Sequence, residues 1–159
     1  MNRKYEFTGE TKEFNGRILR RIRRIEDDLV GGWIESEENL SQEGNCFVHD
    51  EGMVYGNAKI CGNAIVFSYA TVYDNAKVYD DAWIYGNAEV FGNAKVYDDT
   101  AVYDNVKVFS DAEIYGNARV FGNAVIYGDA RVYGDAEVCG VARIYEGRII
   151  GLDKLVIMM

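Results

Sequence analysis

The feature that most constrains this chain is a six-residue phrase repeated without a break. From Val48 onward a Val or Ile stands at every sixth position as far as Ile144, and sixteen full hexads run from 48 to 143 with no insertion or deletion. The stretch from 54 to 94, "VYGNAKICGNAIVFSYATVYDNAKVYDDAWIYGNAEVFGNA", shows the pattern: aliphatic, aromatic, Gly or Asp, Asn or Asp, Ala, variable. Gly and Asn tolerate positive φ, so each hexad contains its own turn and leaves room only for a short strand. Alternation along that strand points the Val inward and the following Tyr or Phe outward. The small Ala at position five turns inward again beside the turn, where a larger group would not fit. Repetition at a fixed short period is the mark of a solenoid. The chain has no Pro, which fits a backbone whose N–H groups are nearly all needed by strand ladders.

This pattern resembles the hexapeptide repeat of left-handed parallel β-helices. The resemblance implies an all-β fold in which three hexads close one triangular coil of 18 residues. Residues i and i+18 then stack about 4.8 Å apart. Sixteen hexads make just over five such coils, a prism of about 26 Å at that spacing. The left hand comes from the resemblance alone, since ordinary crossovers are right-handed. A single coil cannot offset the entropy of its own ordering, so each must lean on its neighbours, and like rungs stack best.

Three segments are expected. Residues 1–33 form an N-terminal β-hairpin cap, in which Asn15-Gly16 is a strong hairpin signal. Strands are expected near Tyr5–Phe7, Thr11–Phe14 and Arg17–Ile25, although Ile18, Ile22 and Ile25 also have helical spacing. Residues 34–147 form the helix proper. Ile34 and Leu40 are an imperfect opening pair, and the step of eight from Leu40 to Val48 inserts two residues. The apolar tail 148–159 leaves the hexad frame and is expected to fold over the last coil or to pair with another subunit, because a bare coil end exposes strand edge.

"YEFTGETKEFNGR", then "GGWIESEENLSQEGNCFV", then the "GNA" and "DNA" hexads, together resemble a group of phage- and prophage-encoded hexapeptide-repeat proteins. That resemblance covers essentially the whole chain and implies a cytoplasmic protein of a bacterial host cell. It brings no settled activity. The hexapeptide enzymes as a class are CoA-dependent acyltransferases, typically trimeric, with a catalytic His base and a loop leaving the coil. Here the one histidine is His49, and no insertion interrupts the hexads after Val48.

Other classes are disfavoured by composition. A net charge of −9 argues against binding a nucleic acid polymer, which needs a cationic face. No run approaches the roughly 18 apolar residues of a membrane span, and the N-terminus lacks the apolar core of a signal peptide. Cys46, Cys61 and Cys139 have no C-x-x-C spacing and are expected to be free thiols in a reducing compartment. Metal binding is not expected. The Asp pairs 80–81 and 98–99 read as turn residues alternating with Gly and Asn, and no cofactor is implied.

The expected function is therefore a non-enzymatic, homo-oligomeric binding or scaffold protein, dimeric or trimeric. Its sharper forms are sequestration of a small nucleotide-like ligand or of a host protein. Arg20, Arg21, Arg23 and Arg24 are the candidates for an anionic ligand, set against a plain reading as a solvated strand face. Cys61, Ile65, Tyr79, Trp83, Tyr97 and Ala101, with Leu155 and Ile157 of the tail, are the candidates for the oligomer interface. An apolar patch rimmed by charge is the usual mark of a contact surface. The rival is a trimeric acyltransferase-like enzyme with His49 as base.

Overall fold

A computed structural model describes residues 2–151 in full and the backbone of residues 154–157. Each hexad places its variable residue and its aliphatic residue on a two-residue strand, such as Lys59–Ile60 and Ile84 with Trp83 before it. The aromatic that follows leaves the strand, position three bends the chain with positive φ, and the Ala of position five returns to the axis. The aliphatic column from Val48 to Val138 is at most 1% exposed, and so are the position-five alanines between its members. The solenoid axis is therefore a column of Val or Ile alternating with Ala, with Gly52, Thr100 and Val106 in place of Ala on three rungs.

Parallel strands stack on three faces. Face I begins with the N-terminal strands and continues through Met53–Val54, Thr71–Val72 and their successors to Arg143–Ile144. Face II runs from Lys59–Ile60 to Arg148–Ile150, and face III from Phe47–Val48 to Lys154–Ile157. Residues eighteen apart pair along each face, as Trp83 pairs with Ile65 on one side and Ala101 on the other. The fold is the expected left-handed parallel β-helix.

The stack is longer than the uninterrupted hexads. Ile34 pairs with Val54, and Leu40 bridges to Ile60, so the imperfect opening pair lies on faces I and II and the two inserted residues bulge before Val48. At the other end Arg131 pairs with Arg148 and Val138 with Leu155. The tail backbone thus stays in the stack, one residue short of a full coil, and continues faces II and III. About seven turns result, five of them written in strict hexads.

The N-terminal unit is β1 (Tyr5–Phe14), β2 (Arg17–Arg24) and β3 (Val30–Ile34). Asn15 and Gly16 both take positive φ in a two-residue turn with Phe14 opposite Arg17. The two short strands expected before that turn are one strand, with a bulge between Phe7 and Thr11 where Gly9 has φ 95°. The run with helical spacing is strand β2. One face of this hairpin closes the axis: Tyr5 and Ile22 are fully buried against the core, and the Tyr5 hydroxyl donates to the Leu40 carbonyl at 2.6 Å. The other face carries Leu19, which is buried with Trp33 and Tyr55 on the outside of face I. Between β3 and the next coil, Gly31 and Gly32 admit no side chain, since a Cβ on either would stand 2.5 Å from a backbone oxygen of Val48 or Gly52.

Candidate functional site

Strand alternation decides what the four arginines can do. Arg21 and Arg23 have ion pairs: Arg21 donates to Glu51 and lies over the Trp33 ring, whose Nε1–H also donates to Glu51, and Arg23 pairs with Glu6 and Asp28. The Glu51 carboxyl is held below its usual range, first by the Trp33 hydrogen bond and then by the Arg21 charge, which together outweigh desolvation. Arg24 forms a two-point contact with Asp27 through Nε and Nη2, at 2.9 and 2.7 Å, which holds the Asp27 carboxyl down at about 2. Arg20 has no ion pair among the described residues and stacks over Phe7, 5.3 Å from its centroid. The four do not converge on one point.

One expected ligand-binding residue does meet the one expected base. The Arg24 guanidinium lies 5.2 Å from the Phe47 centroid, and the Phe47 and His49 rings meet edge to face with their centroids 4.8 Å apart. Burial, and then the Arg24 charge, lower the His49 pKa and so favour its neutral imidazole. Beside them is a cleft of about 290 Å³ lined by Lys4, Arg24, Glu26, Gln42, Cys46 and Phe47, among others. Gln42 closes its floor, accepting from the Lys4 and Tyr5 amides and donating to the Tyr5 carbonyl. The Lys4 ammonium donates to the carbonyls of Glu43 and Gly44 and to Cys46 Sγ, at 3.2–3.3 Å. No sequence signal pointed to Lys4 or Gln42, because both act through contacts about forty residues away.

The interface candidates fall on two faces. The positive-φ residues Gly62, Asp80 and Asp98 place a prism edge between Cys61, Tyr79 and Tyr97 on one side and Ile65, Trp83 and Ala101 on the other. The first three belong to face II, beside the exposed Lys59, Lys77 and Lys95. The neighbours of Ile65, Trp83 and Ala101 on face III are instead Phe67, Tyr85 and Tyr103. These rings stack at 4.6 and 4.8 Å, and Phe121 continues the ladder at 5.1 Å. The Trp83 and Phe67 rings meet edge to face with their centroids 5.9 Å apart, and Trp83 is 50% exposed. The apolar half of face III is thus broader in rings than the grouping by hexad implies. The side chains of Leu155 and Ile157 lie outside the described residues.

The turn aspartates have structural partners. Asp74, Asp98 and Asp104 each accept from the amide of a glycine one coil on, at 2.9–3.2 Å, and the Asp81 carboxylate accepts from Asn63. Asparagines at position four form amide ladders, such as Asn57 to Asn75 to Asn93. Among the described residues no group of three or more His, Cys, Asp or Glu is placed to hold a metal ion, and no helix is long and apolar enough to cross a membrane.

Two stretches of the chain, 112–128 and 126–140, match the YdcK Beta solenoid repeat. The match covers consecutive coils near the C-terminal end and agrees with the stacked architecture. No curated protein matches the chain.

Proposed function

We propose that this protein is a non-enzymatic, homo-oligomeric binding scaffold of the phage- and prophage-encoded hexapeptide-repeat group, working inside the bacterial host cell. The observation that carries the reading is the apolar half of face III. Phe67, Tyr85 and Tyr103 stack there in one column, with Ile65, Ala101 and the half-exposed Trp83 beside them. Aromatic ladders stiffen any β-helix face, but on face II the ladder is flanked by lysines. On face III the flanking column is apolar over the same coils, the composition expected of a buried contact. A second copy of the chain laid along these coils leaves clefts at the prism edges, where a small ligand can be held between subunits. A captured host protein is the other form of the same reading.

The deciding experiment is native mass spectrometry of protein taken directly from cells, alongside the variant Trp83→Glu. The expected result is a dimer or trimer that falls to monomer in the variant, with its circular dichroism unchanged. A wild-type monomer, or an oligomer indifferent to a buried glutamate, would overturn the reading. The same spectra record any small molecule that is retained.

A further inference from the structure

Position five of the hexad faces the axis and is Ala in most coils, but at the start of face III the same slot holds Cys46, one residue before the strand Phe47–Val48. Its thiol is fully buried at the end of the solenoid that the N-terminal arm covers, with Sγ 3.6–3.7 Å from the carbonyl oxygens of Ser41, Glu43 and Ile60. The Lys4 ammonium stands 3.2 Å from that sulfur and donates to the Glu43 and Gly44 carbonyls at 3.3 Å. No carboxylate pairs with Lys4 among the described residues. Its side chain is thus a partly exposed lid over a buried sulfur, in the wall of the 290 Å³ cleft that both residues line.

We propose that Lys4 and Cys46 form a redox latch, which closes under peroxide through a covalent Nζ–Sγ bond. Peroxide that enters the cleft as the Lys4 tip swings aside oxidises the thiol to a sulfenic acid, and one water leaves. The Lys4 amine, its extra proton given up to solvent, then attacks the sulfur. The S–O bond breaks, the hydroxyl departs as a second water with a proton taken from nitrogen, and a sulfenamide remains. One thiol, one amine and one peroxide become one N–S bond and two waters, and a dithiol reductant returns the free thiol and amine as it is itself oxidised to a disulfide. Placement selects Lys4 over the other thiols. Cys61 lies in the hexad next to Cys46, where the Cys46 amide donates to the Gly62 carbonyl, but it occupies an outward position and is exposed. Cys139 belongs to the far end of face III. The closed latch ties the arm before β1 to the loop before the first coil, and so fastens the plug to the axis. It goes beyond the scaffold reading and does not rest on it.

The test is intact-mass spectrometry of the full-length Cys61→Ser, Cys139→Ala protein, in which Cys46 is the one thiol left, with and without hydrogen peroxide. Oxidation should remove about 2 Da, the two hydrogens lost in the link. Trypsin should no longer cut after Lys4, giving a peptide that joins residues 4–12 to residues 25–59, and dithiothreitol should undo both changes. Wild-type protein should give the same peptide. Its melting temperature should rise on oxidation and fall back on reduction, because the link closes a long loop. Lys4→Arg keeps the charge without an amine and should lower the yield of joined peptide by at least about tenfold. Cys46→Ala, which installs the residue of the other coils, should abolish it. The latch is refuted by any of three results: Cys46 alkylated after peroxide as fully as before, oxidation to sulfinic acid with Lys4 still cut, or a Cys46–Cys61 disulfide in the wild type. The bond lies within one chain, so its absence would leave the result of the Trp83→Glu experiment standing.

Discussion

At the residue scale, the strongest local demand is at position three, where the chain turns with positive φ against the next coil. Gly86 has φ 67°, and a Cβ there would stand 2.7 Å from the Asp104 amide nitrogen. Asp occupies the same position elsewhere and offsets its strain by accepting from the neighbouring amide, as Asp104 does from Gly122 at 3.0 Å. Gly86→Ala has the clash without that compensation. It should cost about 1–3 kcal/mol in urea unfolding, whereas alanine at an exposed position-six lysine should cost little. His49 is the other residue with a sharp expectation. Its folded pKa lies below its unfolded value, chiefly through burial and then through Arg24. Keeping it neutral therefore stabilises the fold above the unfolded pKa, and that contribution disappears as pH falls through the folded value. Arg24→Gln should raise the His49 pKa toward the ordinary value in an NMR titration; an unmoved titration would remove Arg24 from its surroundings.

At the scale of elements, the hairpin β1–β2 is both end-plug and outer brace. Tyr5 and Ile22 close the axis that the first coil would leave open, and Leu19 packs with Trp33 and Tyr55 on the outside. Ile22→Ala should destabilise by about 2–4 kcal/mol through the cavity it leaves, and hydrogen exchange should rise first in the opening coil, because a solenoid loosens from its ends. Exchange rising uniformly along the prism would argue that the plug is not a separate element. The strand pattern and the Asn15-Gly16 turn of this unit were legible in the sequence, because local chemistry decides them. The distribution of β2's arginines was legible only in part. Alternation divides Arg20 and Arg24 from Arg21 and Arg23, and Asp27 is a local partner of Arg24, but the Glu6 opposite Arg23 follows from the hairpin register and the Glu51 of Arg21 from the way the hairpin docks. The same limit applies to the interface residues. The hexad told which residues point outward, yet grouping Cys61 with Ile65 overlooked the edge at Gly62, and only that edge reveals that Trp83 keeps company with Phe67 and Tyr85.

At the scale of the whole molecule, charge and apolar surface are sorted by face. Face II presents the lysine column beside its tyrosines, face III presents rings and Trp83, and the edge between them carries the aspartates. The sorting follows from a register of 18 residues held from coil to coil, which turns any preference at one hexad position into a line parallel to the axis. The additional coils at each end were hidden from a strict six-residue count by two inserted residues before Val48 and one missing residue after Ile144. The backbone pairing absorbs both.

The in-register pairing of every coil with only the two beside it has an evolutionary corollary. A duplication or loss of fifty-four nucleotides in the middle of the gene returns the chain to the same corner and re-forms the same contacts, so the rod can be shortened or extended without a new folding problem. Lengths in such a lineage should differ by whole turns, leaving the plugged end and the chemistry of each side intact.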